Sequence, residues 1–412
     1  AQGSKAPVQK LVDRIAAIFV PVVIGIALAA FGVWWWLGGE NGLTQGLLAF
    51  VTVLVIACPC ALGLATPTAI MVGVGKGAEQ GILIKDAESL ELAHRIQAVV
   101  LDKTGTITAG KPSVEALVWA EGADVAEGEN ILFSLEKNSA HPLAEALVAH
   151  FEGTARPVLI GNVENHPGKG IVARYRGQKV IAGNRALILE NGLALDDELR
   201  SQAERWENEA KTVVWFADHR RTLAVVAIAD PVKPTSAQAV TALHQMGVEV
   251  YLLTGDNRQT AAVVAAQGGI DQFRAEVLPA DKDAFIQELQ QQGKVVAMVG
   301  DGINDSQALA RADVSIAMSK GSDIAMDVAK MTLMSSDLSK IPDAIRLSRH
   351  TVSAIRQNLF WAFIYNVIGI PIAAGVLYPF SGFLLDPMIA GAAMALSSVS
   401  VVSNSLRLKW RK

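Results

Sequence analysis

The chain has 412 residues, of which 51% are hydrophobic, and a formal net charge of −4 at pH 7. This length leaves room for two or three domains, and the slightly acidic balance argues against a nucleic-acid partner. Its two cysteines are only two residues apart in an apolar stretch, which excludes a disulfide-stapled secreted domain and suggests a pair of metal ligands.

Four stretches of the chain carry almost no charge. Residues 15–39 and 41–75 have no charged side chain, and each exceeds the roughly 20 residues that cross a bilayer as a helix. Residues 359–378 are also uncharged, and residues 383–402 contain only Asp386, near their start. We therefore predict four transmembrane helices, in one pair on each side of a long polar region, in an integral multi-pass protein of the lipid bilayer.

The second predicted span contains Cys58-Pro59-Cys60. On a regular helix, residues i and i+2 point about 200° apart, so two thiols at that spacing would not share a ligand. Pro59 breaks the helix, and unwound backbone at membrane depth is tolerated where it lines a site. Thiolates are soft ligands that select Cu(I), although Zn(II) is also possible. The alternatives are two small cysteines packed in a kinked helix, or a redox disulfide, which the membrane location disfavours.

The apolar run at residues 98–101 predicts a strand buried on both faces of a parallel sheet. It leads into DKTGTIT at residues 102–108, in which small hydroxyl residues and glycine follow a strand-end carboxylate and can turn backbone N–H groups towards an anion. Asp102 is therefore the candidate nucleophile for the γ-phosphate of ATP, with Lys103 and Mg²⁺ neutralising the developing charge. The alternative is an aspartate that only caps a turn.

The run DKTGTIT, which includes Asp102, Lys103 and Thr104, resembles the phosphorylation signature of the P-type ATPases, which are ion pumps of the haloacid-dehalogenase-like superfamily. Cys-Pro-Cys is similar to the mark of their heavy-metal branch. The resemblance implies an α-helical transmembrane region of four helices and an α/β Rossmann-like phosphorylation domain of the haloacid-dehalogenase type. It also implies an inserted α+β nucleotide-binding domain, and an aspartyl-phosphate made from ATP with Mg²⁺.

An ATP-using domain of this kind faces the cytosol, and we expect a bacterial inner membrane. Basic residues flank the first and last spans, as the positive-inside rule expects of cytosolic ends. These are Lys5, Lys10, Arg14, Arg407, Lys409, Arg411 and Lys412.

Residues 111–229 form the predicted insertion. It contains Ser139-Ala140-His141-Pro142 and Gly168-Lys169-Gly170, each of which alone would be a weak signal. Their order is similar to the nucleotide-binding domain of heavy-metal pumps. The resemblance implies that the adenosine part of ATP contacts Glu136, His141, Gly168, Gly170, Gly183 and Asn184. No P-loop signature is present in the sequence, so this is not a Walker-type ATPase.

Two further apolar runs, at residues 248–253 and 295–299, predict strands that end in polar residues. The first leads into Thr254-Gly255-Asp256-Asn257 and the second into Gly300-Asp301-Gly302-Ile303-Asn304-Asp305. Because the carboxyl ends of parallel strands meet at one sheet edge, these residues should join Asp102. We predict that Asp102, Asp301 and Asp305 hold Mg²⁺. Thr254 and Lys282 should contact the phosphoryl oxygens, with Gly255 and Asp256 nearby.

The last two spans contain polar groups at membrane depth: Tyr365 and Asn366 in the third, Met394 and Ser398 in the fourth. Such groups indicate function by default, although Ser and Asn can merely hold helices together. Met394 and Ser398 are four residues apart and share a helix face, and a thioether beside two thiolates favours Cu(I) over Zn(II). These pairs resemble the transmembrane signature of copper(I)-exporting pumps. The zinc branch instead uses an Asp and a Lys, and neither appears at mid-depth in this sequence.

The resemblance matches only the later part of such a pump. We find neither the Thr-Gly-Glu of the actuator domain nor an N-terminal Cys-x-x-Cys metal-binding domain, and Gly3-Ser4-Lys5-Ala6-Pro7 resembles the segment just after the actuator. We expect a C-terminal portion whose partners are those missing domains, the bilayer and Cu(I), with a copper chaperone as a further partner. It should bind nucleotide but not turn over efficiently alone.

The sequence thus predicts ATP-driven export of Cu(I) by Cys58, Cys60, Met394, Tyr365, Asn366 and Ser398, coupled to phosphorylation of Asp102. The predicted domains are residues 1–75 (two transmembrane helices), 76–110 and 230–350 (phosphorylation domain), 111–229 (nucleotide-binding domain) and 351–412 (two transmembrane helices). The nearest alternative is a zinc or cadmium pump. A membrane-anchored phosphatase is disfavoured, because Thr104 stands where such enzymes carry a second Asp. A metal-binding membrane sensor would have no use for Lys282, Asp301 and Asp305.

Overall fold

The computed structural model describes residues 7–139, 141–209, 211–301, 305–319 and 322–410. Several residues named above lie outside these ranges: residues 1–6, Ala140, Gly302, Ile303, Asn304, Arg411 and Lys412. The helices of the described residues are α1 (Pro7–Leu37), α2 (Gly42–Ile56), α3 (Cys60–Glu79), α4 (Ala87–Leu92), α5 (Val125–Glu136), α6 (Pro142–Phe151), α7 (Arg185–Glu190), α8 (Asp197–Asn208), α9 (Ser236–Gln245), α10 (Arg258–Gly268), α11 (Pro279–Gln291), α12 (Ser306–Arg311), α13 (Asp323–Val328), α14 (Lys340–Ala373), α15 (Tyr378–Ser381) and α16 (Pro387–Leu406). The strands are β1 (Ile82–Ile84), β2 (Ala98–Asp102), β3 (Ser113–Trp119), β4 (Ile160–His166), β5 (Gly170–Tyr175), β6 (Gln178–Gly183), β7 (Thr212–Ala217), β8 (Thr222–Ala229), β9 (Glu249–Leu253), β10 (Gln272–Arg274), β11 (Val296–Gly300), β12 (Val314–Met318) and β13 (Met331–Leu333).

Seven strands form one sheet in the order β1-β13-β12-β11-β2-β9-β10, parallel throughout except for β1. All five residues of β2 are buried, as a strand covered on both faces requires. Val99 and Leu101 pack against the core that includes α9, α10 and the start of α14. Ala98 and Val100 pack on the opposite face, with α11 and α12. The predicted Rossmann-like α/β phosphorylation domain is therefore confirmed.

A second, antiparallel sheet occupies residues 113–229, between β2 and β9 of the first. Its strand order is β3-β8-β7-β6-β5-β4. Helices α5 and α6 cover one face, where Leu132, Leu147 and Phe216 share a core. Helices α7 and α8 cover the other, around Trp206 and Trp215. This part of the chain thus has its own two hydrophobic layers.

Among the residues that the structure describes, three helical segments are long and apolar enough to cross a membrane: Val12–Leu37, Gly39–Glu79 and Pro387–Trp410. The second of these segments contains the second predicted span, and the other two overlap the first and fourth predicted spans. The third, at residues 359–378, is not among the spans found in the described residues. It starts inside α14, which ends at Ala373, so only residues 359–373 of the predicted span lie in that helix. The count of four spans stays a prediction.

Candidate functional site

Three carboxylates meet at the carboxyl edge of the parallel sheet. Asp102 ends β2, while Asp301 and Asp305 follow β11, which pairs directly with β2. One oxygen from each of the three lies within 4.8 Å of the others. Lys282, on α11, donates hydrogen bonds to Oδ1 of Asp102 (2.5 Å) and to Oδ1 of Asp305 (2.6 Å). Strand order therefore assembles this site from segments up to about 200 residues apart.

The charges of this site are strongly coupled. Burial, and then the neighbouring charge of Asp305, raises the pKa of Asp102 to about 6, and the same two causes raise the pKa of Asp301 to about 6. Burial opposes the charged form of Lys282, but Asp102 and Asp305 together raise its pKa above the usual value. Carboxylate oxygens are hard donors that suit a divalent cation such as Mg²⁺. The positive charge of such a cation would offset the repulsion among the three carboxylates and favour their ionised form. That the three hold Mg²⁺ stays a prediction.

The other residues predicted for phosphoryl contact lie at the same edge. Thr254 is buried just after β9, on the other side of β2, and its hydroxyl accepts a hydrogen bond from the N–H of Asp256 (3.1 Å). Lys103 forms an ion pair with Asp256, which the sequence analysis did not foresee. Thr104 is exposed in the turn that follows Asp102. The predicted roles of these residues in phosphoryl transfer stay predictions.

The segment 230–236, to which no role was assigned from the sequence, follows the second sheet and packs along residues 105–111. Asp230 accepts hydrogen bonds from the Thr108 hydroxyl (2.6 Å) and from the N–H of Lys111 (3.2 Å). Lys233 donates a hydrogen bond to the Gly105 carbonyl, in the turn that follows Asp102. Its positive charge also partly offsets the rise in the pKa of Asp301. A signal for this segment in the sequence is Asp230-Pro231, which directly follows the predicted insertion at residues 111–229.

A cavity of about 600 Å³ lies at one end of the second sheet. Its lining includes every residue predicted to contact adenosine: Glu136, His141, Gly168, Gly170, Gly183 and Asn184. Lys169 and Thr212, which the sequence analysis did not assign, also line it. Burial raises the pKa of Glu136 to about 7.

The structure gives several of these residues a local structural role. Nδ1 of His141 accepts the N–H of Leu143 (3.2 Å) at the start of α6, so a neutral ring carries its proton on Nε2. Asn184 caps α7 and donates to the Gly168 carbonyl (3.1 Å), so both ends of its amide are engaged. A methyl group at Gly170 would lie 2.2 Å from the Ala182 carbonyl, so this glycine already serves the close pairing of β5 and β6.

Cys58 and Cys60 flank the break between α2 and α3. The predicted interruption of the helix is present, and it brings the two sulfurs together instead of pointing them apart. The structure joins them in a disulfide, which the sequence analysis had disfavoured. Because thiolates are the ligands for a soft metal, a two-sulfur site requires the reduced pair.

The other predicted copper ligands lie around this break. Met394 is buried in the same apolar cluster that Cys58 packs against. Met394 and Tyr365 line one apolar cavity of about 390 Å³ between α2, α14 and α16. Asn366 is buried, and its Oδ1 has no hydrogen-bond partner among the described residues. Ser398 donates instead to the Met394 carbonyl of its own helix (3.3 Å). Copper binding by these residues stays a prediction.

The profile of a haloacid dehalogenase-like hydrolase matches residues 96–313. A probable copper-transporting ATPase PacS of Synechocystis sp. is 51% identical over 415 residues, which cover 99% of this chain and 55% of that protein. A copper-exporting P-type ATPase of Vibrio cholerae is 49% identical over 413 residues, covering 100% of this chain and 45% of that protein. The crystal structure of a zinc-transporting PIB-type ATPase in an E2.Pi state has a TM-score of 0.84 at 30% identity, covering 99% of this chain and 64% of that one.

The chain therefore spans about half the length of the curated relatives it matches. The order of strands in the parallel sheet and the cluster of Asp102, Asp301 and Asp305 are consistent with these matches. The chain belongs to the haloacid dehalogenase-like hydrolases, and its resemblance to the heavy-metal P-type ATPases is confirmed over its whole length.

Proposed function

We propose that this chain is the catalytic and membrane portion of a P-type ATPase that exports Cu(I) through an aspartyl-phosphate at Asp102. The observation that carries the proposal is the buried cluster at the sheet edge, where Asp102 lies beside Lys282, Asp301 and Asp305. A nucleophilic carboxylate next to one fixed ammonium and two further carboxylates suits phosphoryl transfer with a divalent cation.

In this reaction an Oδ of Asp102 attacks the γ-phosphorus of ATP. The new O–P bond forms as the bond between the γ-phosphorus and the bridging oxygen breaks, and ADP leaves with the electron pair. Lys282 keeps Asp102 oriented and partly ionised through its 2.5 Å hydrogen bond. When bound, Mg²⁺ would be held by Asp102, Asp301 and Asp305 and would offset charge on the transferring phosphoryl group. Thr254 would donate to a phosphoryl oxygen.

Residues 111–229 are the proposed nucleotide-binding domain. The cavity of about 600 Å³ is of the size that small-molecule sites usually have. His141 supports this assignment, because the cap on α6 leaves Nε2–H as its free donor. Glu136 and the glycines would hold the adenosine part of ATP, while the phosphates extend towards Asp102.

The proposed copper site lies between α2, α3, α14 and α16. With α2 and α3 as the two halves of one span, these helices and α1 would provide four spans. Reduced Cys58 and Cys60 would supply two thiolates and Met394 a thioether, a set of soft ligands that suits Cu(I). Tyr365, Asn366 and Ser398 would lie around them. The unpartnered Asn366 Oδ1 supports a ligand here, since a buried polar atom is costly without a partner.

We place the pump in a bacterial inner membrane with its ATP-binding domains in the cytosol. A copper chaperone would deliver Cu(I). The relatives are about twice as long as this chain, so an actuator domain and N-terminal metal-binding domains would complete the cycle. Without those domains, this chain would still form the phosphoenzyme at Asp102, but it would not hydrolyse ATP efficiently through repeated cycles.

The test is phosphoenzyme formation from γ-labelled ATP and Mg²⁺ under reducing conditions, with Cu(I), with Zn(II) or without added metal. Wild type is compared with Asp102→Asn and Cys58→Ser. We expect an acid-stable, hydroxylamine-sensitive label that requires Cu(I) and that both variants abolish. A label that requires Asp102 but depends neither on added metal nor on Cys58 would refute coupled copper transport. It would favour the alternative of a membrane-anchored phosphatase.

A zinc pump is the second candidate, because the crystal structure that matches with a TM-score of 0.84 is that of a zinc-transporting ATPase. A substitution of Met394 distinguishes the copper pump from the zinc pump. In the copper pump, Met394→Leu should weaken Cu(I) activation of phosphorylation about tenfold, whereas a zinc pump should tolerate it. Met388→Leu is the matched control, since Met388 is an exposed methionine at the start of the same helix. Zn(II) activation untouched by Met394→Leu, without any Cu(I) response, would favour zinc.

A further inference from the structure

Lys233 lies on the segment 230–236, which returns the chain from the second sheet to the phosphorylation domain. Its Nζ donates hydrogen bonds to the carbonyl oxygens of Gly105 (2.5 Å) and Thr106 (2.8 Å). Its backbone N–H donates to the carbonyl of Ile107 (2.9 Å). One half-buried residue thus holds three successive carbonyls of the turn that follows the nucleophile.

The turn that Lys233 holds is in direct contact with a second carboxylate of the site. Gly105 has a φ of +72°, and a methyl group added there would lie 1.5 Å from Oδ2 of Asp301. Because a trans peptide is planar, fixing the Gly105 carbonyl also fixes the N–H of Thr106 on the opposite side. The orientation of this turn therefore sets how closely its backbone approaches Asp301.

We propose that Lys233 is a positioning residue, which holds the turn after Asp102 against Asp301 so that the three carboxylates keep the spacing a divalent cation needs. The inference rests on the proposed function, because the cation concerned is the one used in phosphoryl transfer. Lys233 touches the turn through its carbonyls, and its charge also partly offsets the raised pKa of Asp301. It joins the segment leaving the second sheet to the catalytic turn.

Because Lys233 is positively charged, the direction in which its removal changes cation affinity distinguishes two possible roles. When Asp301 is ionised both with and without Lys233, a lysine that was only a nearby positive charge would repel a cation, so its removal would tighten cation binding. A lysine that positions the carboxylates has the opposite effect, because its removal lets the turn relax. Loss of hydrogen bonds from a charged donor is large enough for the second effect to dominate.

The experiment measures Mn²⁺ binding to the full chain in detergent, from the loss of the free-ion EPR signal, for wild type, Lys233→Met and Lys233→Arg. Lys294→Met is the matched control: Lys294 lies at the opposite end of the same sheet, where it pairs with Glu249. We expect about a tenfold weaker Mn²⁺ affinity for Lys233→Met, equivalent to losing one such hydrogen bond. Lys233→Arg should recover most of the affinity, and Lys294→Met should equal wild type.

A second readout is the Mg²⁺ concentration that half-saturates phosphoenzyme formation, which should rise in parallel for Lys233→Met. Unchanged or tighter Mn²⁺ binding in this variant would overturn the proposal. So would an equal loss of affinity in Lys233→Arg and Lys233→Met, since a retained donor should restore the contact. If wild type binds Mn²⁺ but forms no phosphoenzyme, the proposed function fails while the role of Lys233 in cation binding is still decided.

Discussion

Glu136 permits the most direct test of the electrostatics in the second sheet's cavity. Its side chain is 6% exposed, and burial raises its pKa from 4.5 to about 7. In the unfolded chain the carboxyl ionises near 4.5, so between these values the unfolded chain binds fewer protons and stability falls as pH rises. The penalty is absent below pH 4.5 and complete above pH 7, where the difference in pKa amounts to about 3 kcal/mol.

Glu136→Gln keeps the shape of the side chain and cannot ionise. We therefore expect the variant to be about 3 kcal/mol more stable than wild type at pH 8, and within about 1 kcal/mol of it at pH 5. The assay is urea unfolding of the full chain in detergent, followed by the fluorescence of the tryptophans in the second sheet and its helices. Glu152→Gln, which replaces an exposed glutamate of the same region, is the control and should not change the pH dependence. A Glu136→Gln variant that keeps the wild-type slope, or that is destabilised at pH 8, would refute the reasoning.

Two further predictions separate structural from functional roles. His141→Asn should fold like wild type but bind ATP at least fivefold more weakly, because Asn is a good N-cap and lacks the imidazole, whereas His141→Ala should also lose about 1 kcal/mol of stability. Thermal unfolding and ATP titration measure both, and unchanged ATP affinity in His141→Asn would exclude His141 as a contact. Lys282→Met leaves Asp102 and Asp305 buried without their ammonium, so it should cost about 3 kcal/mol in urea unfolding and abolish the phosphoenzyme. A well-phosphorylated Lys282→Met variant would contradict this, and Lys282→Arg should lose less stability.

The meeting of Asp102 with the region after β11 could be predicted from the sequence because it depends only on strands and their ends. Apolar runs with polar ends identify parallel strands buried on both faces, and the carboxyl ends of such strands converge whatever the chain does between them. The same reasoning could not foresee Lys233 or the pair of Lys103 and Asp256. Long side chains reach several partners, and which one they meet depends on the path of a loop after an insertion of more than 100 residues.

The membrane region shows a different limit of sequence reasoning. Charge-free stretches locate apolar helices but not their ends, so the span predicted at residues 359–378 begins inside the 34-residue α14 and extends five residues beyond its end at Ala373. Cys-Pro-Cys predicted a broken helix, which is present, but it did not predict the distance between the two sulfurs after the break. That distance is a property of the folded backbone, and the structure joins Cys58 to Cys60.

The continuity of α14 bears on how the two ends of the molecule can communicate. Ile341 and Ile345 of this helix lie in the core of the parallel sheet, whereas Asn366 lies near the proposed copper site. At its middle, α14 is packed tightly on α3: a methyl group at Gly73 would lie 2.6 Å from the Thr351 hydroxyl. The helix α3 begins at Cys60 and is about 30 Å long, so its far end reaches the sheet. Two closely packed helices thus connect the cysteines with the domain that contains Asp102. A shift of the broken helix on metal binding would have to move α14 or open this contact, and the metal dependence of Asp102 phosphorylation measures whether it does.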